Sequence, residues 1–308
     1  MRTTSLPFML ATLLLTAGIS LTTTGCGAAA SAGDRAVIDQ AQSLHRALQP
    51  AVMEEEARVK NYLQQIGQRI VIAAKDYYAQ MPNKPADSSE WMFTKNIQFH
   101  LVAGRTLNAT TAGGEHVYIY NALFQRCETE DELAAVVAHE YAHVFARHVR
   151  RNFTALPPDA PPQDIMRLLV NNRFNAQEEQ EADQYAFAFF ARAGWDPARY
   201  EGLYQKLPGN DARVTAAHTR ADALPPAARD WQQAPIADDR RFAQHKRDAD
   251  SLSNRKLQDA TAALFLTAMP SCVSPVDTPE QRAAQDQVTR PPAVESPGSF
   301  QKGPRERG

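Results

Sequence analysis

The chain has 308 residues, a formal net charge of −2 and 44 % hydrophobic residues. That length suits one sizeable domain with tails. The near-neutral charge gives no basis for nucleic-acid binding, and the short basic clusters from Arg147 to Arg151 and at Arg240-Arg241 read as solvated faces.

The first residues read as an export signal rather than as fold. Arg2 opens a short basic region, and the apolar run from Leu6 to Leu21 is too short and too mixed for a membrane span. Gly25-Cys26 fits lipoprotein processing after residues 1–25, with Thr23 where a Leu is usual; cleavage near Ala30-Ser31-Ala32 is the other option. Either route exports the chain. Lipidation of Cys26 would anchor it without a transmembrane helix, and Gly27 does not resemble an inner-membrane retention signal. The expected location is therefore the periplasm, at the outer membrane.

Residues 26–50 form a linker and a first helix, and a long amphipathic helix is expected over 51–81. Its stripe is Val52, Val59, Leu63, Ile66, Ile70, Ala73 and Tyr77, and Pro82 and Pro85 end it. Asn96 to Val102 alternates as a strand. Gly113-Gly114 marks a turn, and His116 to Tyr120 reads as a second strand with His116 at its exposed start.

The run from Leu133 to Val149 is helix-forming and contains His139-Glu140-Tyr141-Ala142-His143. Residues four apart share a helix face. His139 and His143 can therefore hold one zinc ion, with Glu140 beside it as general base toward water. Thr129 is the expected N-cap, Glu132 its capping-box partner, and Glu130 to Glu132 favour the positive helix end. Two hydrogen-bonded core histidines beside a surface Glu are the bland alternative.

A catalytic zinc needs a third protein ligand. His148 lies nine residues after His139, half a turn out of phase, and so points away as a surface or helix-terminal residue. The stretch from Ala176 to Ala193 reads as a strong helix in which Glu179 and Asp183 share a face with Ala182, Ala186 and Phe190. Glu179 is the chosen ligand. Asp183 is placed to accept the free ring N–H of a ligand histidine. Glu178 and Glu181 are the rival ligands to Glu179, and a solvated acidic face is the bland reading.

These residues together resemble the gluzincins of the CAAX-prenyl-protease (Ste-endopeptidase) and HtpX type. The stretches that carry the resemblance are His139 to His143, Glu179 to Asp183, Asn108-Ala109, Gly113-Gly114, Val117 to Tyr120, Glu130 to Val136 and Trp195-Asp196-Pro197. It covers roughly residues 50–220 and is most specific over 108–195. It implies an α+β fold, mainly helical, with a small antiparallel sheet beside the zinc helix. It implies zinc on His139, His143 and Glu179, one ion per chain, with Glu140 as base. It also implies a substrate-binding edge strand at Gly114, Val117 and Tyr118. His218, in Ala217-His218-Thr219-Arg220, matches a late family segment without its Pro and is carried over as a catalytic or gating residue. The chain resembles soluble periplasmic members, which suggests a metalloendopeptidase acting on unfolded or misassembled envelope proteins. A lipid-anchored chaperone-like subunit with a latent or structural zinc is the alternative.

The peptidase domain is set at 51–233. The Pro-rich segment from Ala155 to Pro162 separates the two zinc helices and is a candidate lid. Residues 234–269 form a helical segment whose amphipathic part, 239–266, packs on the domain or meets an envelope partner. From 270 to 308 a disordered tail is expected. Cys127 and Cys272 either pair or stay as free thiols.

Overall fold

The computed structural model describes residues 30–84, 90–152, 156–157, 159–171, 174–225, 228, 239–257, 260–274 and 276–290. The candidate export signal, Cys26, the end of the tail and part of the candidate lid lie outside them. Helices α1 (Ala32–Leu48) and α2 (Ala57–Ala79) come first. The break between them is chemical. Pro50 lies in a short 3-10 turn, Gln49–Ala51, and the chain then runs extended beside the first strand, with Met53 N donating to Leu101 O at 2.9 Å and Ala103 N to Ala51 O at 2.9 Å. The long helix therefore begins at Ala57, later than its apolar stripe suggests.

Strands β1 (Gln98–Val102), β2 (Ala109–Thr111) and β3 (His116–Tyr120) form one sheet in the order β1-β3-β2. The α+β expectation holds, but the sheet is mixed rather than antiparallel: β1 runs parallel to β3, and β2 antiparallel to it. Helix α2 lies close on β1 at Gly67, where a Cβ would come within 2.1 Å of the Phe99 ring. Only glycine permits that approach.

Helices α3 (Asn121–Arg126) and α4 (Glu130–Phe145) follow, and every residue of α4 is buried. A helix buried on all sides is a core helix, and the three acids of its first turn need partners. Glu130 accepts from Tyr62 Oη at 2.6 Å and Trp195 Nε1 at 3.2 Å. Glu132 pairs with Lys206 at 2.6 Å. Thr129 caps the helix as expected, accepting from Glu132 N at 3.4 Å, but the Glu132 carboxylate reaches Glu128 N rather than closing a capping box.

Helix α5 (His148–Asn152) and helix α6 (Pro162–Asn171) flank the Pro-rich segment. Helix α7 (Ala176–Arg192) starts with a complete Asn175/Glu178 capping box and packs along α4. Helices α8 (Asp211–Asp222), α9 (Asp239–Lys256), α10 (Ala260–Ala268) and α11 (Pro279–Thr289) complete the described chain. Phe242, Ala249 and Leu252 of α9 lie in the main core, so its apolar stripe is used within the molecule rather than left for a partner. The tail is ordered through α11, contrary to expectation. Thr278 and Gln281 form a capping box, and Ala284 and Val288 pack with α6 residues in a second core cluster. Among the described residues, no helix is long and apolar enough to cross a membrane.

Candidate metal centre and active site

Helix spacing brings the first two donors together. His139 and His143 are wholly buried, and their Nε2 atoms lie 3.2 Å apart. Helix α7 brings in the Glu179 carboxylate, whose Oε2 lies 3.3 Å from His139 Nε2 and 3.9 Å from His143 Nε2. Small residues on α7 make that approach possible: Ala182 and Ala186 are fully buried in the same core. A tetrahedral zinc with ligand bonds of about 2.0–2.1 Å needs donors roughly 3.3 Å apart. Two of the three separations match that edge and the third, at 3.9 Å, is longer by a side-chain adjustment, so the donor set fits the ion.

Glu140 stands next in sequence, at 0 % exposure, and among the described residues neither carboxylate oxygen has a well-aligned hydrogen bond, with the Cys272 thiol the group in reach of it. A buried carboxylate so weakly bonded is costly unless a ligand or reaction uses it. Burial, opposed by His139 and reinforced by Glu179, pushes its pKa up to about 7. That is the range in which a general base works best near neutral pH.

Each histidine is held from its far side. Asp183 Oδ1 lies 2.9 Å from His139 Nδ1. Burial and Arg213 favour the neutral ring, but the Asp183 and Glu179 carboxylates outweigh them and raise His139 to about 9. A metal entering there must displace that proton. His143 Nδ1 contacts His148 Nδ1 at 2.8 Å, and Phe174 stacks on the His143 ring with centroids 4.0 Å apart. Burial holds His143 well below the usual histidine range.

Arg213 at the start of α8 ties the carboxylates together. It donates from Nε to Asp183 Oδ2 at 2.8 Å, from Nη2 to Glu179 Oε2 at 3.1 Å and from Nη1 to the Cys272 carbonyl at 2.9 Å. A cleft of ≈ 670 Å³ opens beside these groups, lined among others by Thr110, Thr111, Phe174, Glu179, Arg213 and Cys272.

His139, Glu140, His143, Glu179 and Asp183 thus come together as their spacing predicts. The rival acids are engaged elsewhere: Glu178 caps α7, and Glu181 pairs with Arg151 at 2.7 Å and His148 at 3.2 Å.

Four expectations are corrected. His148 is wholly buried beside the centre, because α4 ends at Phe145 and Arg147 takes a left-handed φ of 55°; extrapolating one straight helix past the break sends His148 the wrong way. Asp34 holds that turn, accepting from Arg147 Nε at 3.1 Å. His218 is exposed and contacts Glu201 at 3.4 Å, because α8 turns Arg213, Ala216 and Arg220 toward the cleft and His218 away. Gly114, Val117 and Tyr118 do not offer a free edge: Val117 and Tyr118 sit on the central strand, which is paired on both sides, and a Cβ on Gly114 would meet Ala41 at 2.5 Å. The edge strand beside the cleft is β2, through Thr110 and Thr111. His116 is buried, with Nδ1 2.9 Å from His100 Nε2 and its ring stacked on His45 at 4.0 Å.

Cys127 and Cys272 are both free thiols. Sequence reading missed Arg213, His148 and Cys272 as parts of the site. Arg213 and Cys272 lie far from the motif along the chain, and no local pattern marks them.

Residues 60–157 match the sequence profile of "Peptidase family M48". That segment holds the H-E-x-x-H helix and ends before Glu179. The chain is similar to the "Beta-barrel assembly-enhancing protease" of Yersinia pestis, 29 % identical with 42 % of this chain and 35 % of the relative covered. It is similar to the protein of that name from Escherichia coli strain K12, 30 % identical with 36 % and 28 % covered. It also resembles "Mitochondrial metalloendopeptidase OMA1" of Saccharomyces cerevisiae, 29 % identical with 54 % and 51 % covered. The chain spans about a third of the length of the bacterial relatives it matches.

Proposed function

We propose that this chain, which carries a domain of peptidase family M48, is a zinc metalloendopeptidase that cleaves unfolded or misassembled proteins of the cell envelope. The observation that carries the reading is the wholly buried Glu140 carboxylate beside three metal-ligating donors that converge within 3.9 Å of one another. A purely structural metal would not need that group, which disfavours a lipid-anchored chaperone-like subunit as the primary role.

His139, His143 and Glu179 would hold the metal. Zinc there supplies Lewis acidity toward water and toward the scissile carbonyl. Glu140 takes a proton from the attacking water and returns it to the leaving amine. Asp183 and His148 fix the ring orientations of His139 and His143. Arg213 holds Glu179 and Asp183 in place, at 3.1 and 2.8 Å. An extended substrate segment has β2 as its docking edge, through backbone hydrogen bonds beside Thr110 and Thr111. That mode suits chains with exposed backbone and hence poorly folded substrates.

The envelope setting draws on the N-terminal export pattern and on the names of the bacterial relatives. In this reading Cys26 is acylated and anchors the chain at the periplasmic face of the outer membrane, with substrates rather than a docked subunit as its main partners.

The test is metal content with proteolysis on the full chain. About one zinc per chain is expected, lost in His139→Ala, with casein cleavage that a chelator abolishes and zinc restores. Metal retained undiminished in His139→Ala, or cleavage indifferent to chelation, would overturn the assignment.

A further inference from the structure

The C-terminal third of the chain delivers a fourth donor. Sγ of Cys272, a ring nitrogen each from His139 and His143, and a Glu179 oxygen all lie within 4.8 Å of one another. Thiolate and imidazole donors on a tetrahedral zinc sit roughly 3.6 Å apart, given bonds of about 2.3 and 2.0 Å. The thiol's separations from these donors therefore exceed that spacing by at most about 1.2 Å. It also neighbours Glu140, whose carboxylate lies within reach of the Cys272 thiol.

Cys272 is not placed by chance packing of a loose end. It lies on the segment 269–274 between α10 and α11, and that segment is strapped to both sides of the cleft. On the sheet side, Asn108 Nδ2 donates to Met269 O at 3.1 Å and Ser271 Oγ to Leu107 O at 3.2 Å. On the α8 side, Arg213 donates to Cys272 O at 2.9 Å and Asn210 Nδ2 to Val273 O at 3.2 Å. Val273 is wholly buried in the main core, and Met269 is buried in the second cluster. The strap leaves its sheet-side anchors beside the start of β2, where an extended peptide would have to lie.

Resting on the zinc-peptidase reading above, we infer that Cys272 is a fourth, inhibitory ligand of the same metal, and that the 269–274 strap holds the enzyme latent until it is displaced. A catalytic zinc keeps one position open, whereas four protein donors close the shell. With Cys272 ligated, Glu140 has no water to deprotonate. The thiol gives its proton to solvent on ligation and takes one back on release. The chemistry needs nothing else: a partner or substrate that pulls the strap off its anchors frees the site.

The test is zinc X-ray absorption on the zinc-loaded full chain, with cleavage assays alongside. The parent is expected to show a sulfur shell at about 2.3 Å. Cys127→Ser should keep that shell. Cys272→Ser and Cys272→Ala should lose it while retaining one zinc, and casein cleavage should rise roughly tenfold, as when a competent fraction of about a tenth becomes the whole. Thermal melting of the variants checks that they fold. A parent shell of nitrogen and oxygen alone would overturn the ligand assignment and leave the zinc peptidase standing. A sulfur shell lost in Cys272→Ser with unchanged cleavage would overturn the inhibition. Zinc bound by neither parent nor variants would instead overturn the peptidase reading itself.

Discussion

Asp183 and His148 perform the same task for two different ligands. Each sits on the far nitrogen of its histidine, at 2.9 and 2.8 Å, and neither is placed to touch the metal. Loss of such a partner typically weakens metal affinity about 10- to 100-fold. Asp183→Asn and His148→Ala should therefore each bind zinc less tightly by that order in a chelator competition. Unchanged affinity in both would show that the rings need no outside hold. His139, Glu140, His143, Glu179 and Asp183 are legible in sequence because helix periodicity places each set on one face. His148 is hidden by a single left-handed residue, Arg147, whose side chain is held by a carboxylate 113 positions away.

At the scale of elements, the sheet decides where a substrate can lie. The β-forming run after the Gly113-Gly114 turn marks residues 116–120 as a strand but not how many neighbours it has. Its neighbours turn out to be two, and the sheet edge beside the cleft belongs to β2, only three residues long. Nothing local in Ala109-Thr110-Thr111 marks an edge strand. The register points the Thr111 N–H away from β3, so Thr111→Pro should leave the metal site intact and raise KM for unfolded substrates by removing a backbone donor from that edge. An unchanged KM would place the substrate elsewhere. The seat of the sheet on α2 depends on Gly67 against Phe99. Gly67→Ala should destabilise the fold by about 1–3 kcal/mol through overpacking, read as a lower urea midpoint. Full stability would mean the two elements separate without cost. The amphipathic stripe of α9 was readable, but whether it met the domain or a partner was not, since periodicity gives a face and not what covers it.

Across the whole molecule, α1 and the sheet bury a second histidine group that the metal centre does not use. His45, His100 and His116 are packed together, and Glu54, Lys60 and Tyr118 are the other titratable groups facing them. Burial, with mutual repulsion, lowers His100 to about 2 and His116 to about 3. The folded rings stay neutral, while the unfolded chain takes up protons below about 6.5. Stability is therefore complete above that pH and is lost as pH falls from 6.5 toward 3 and then 2. The loss between pH 7 and 5 should be about 3–4 kcal/mol for the two rings together. Urea unfolding at both pH values reads it, and His100→Gln with His116→Gln should flatten the slope; an equally steep slope in the double variant would assign the acid sensitivity to other groups.

The central claim concerns Glu140, and kcat/KM on casein tests it most directly. The comparison is Cys272→Ser against Cys272→Ser with Glu140→Gln, each as the full chain carrying one zinc. The account predicts equal metal content and cleavage lower by about 10²- to 10⁴-fold without the carboxylate. Undiminished cleavage in the double variant would contradict it, because the buried carboxylate would then have no part in moving the proton.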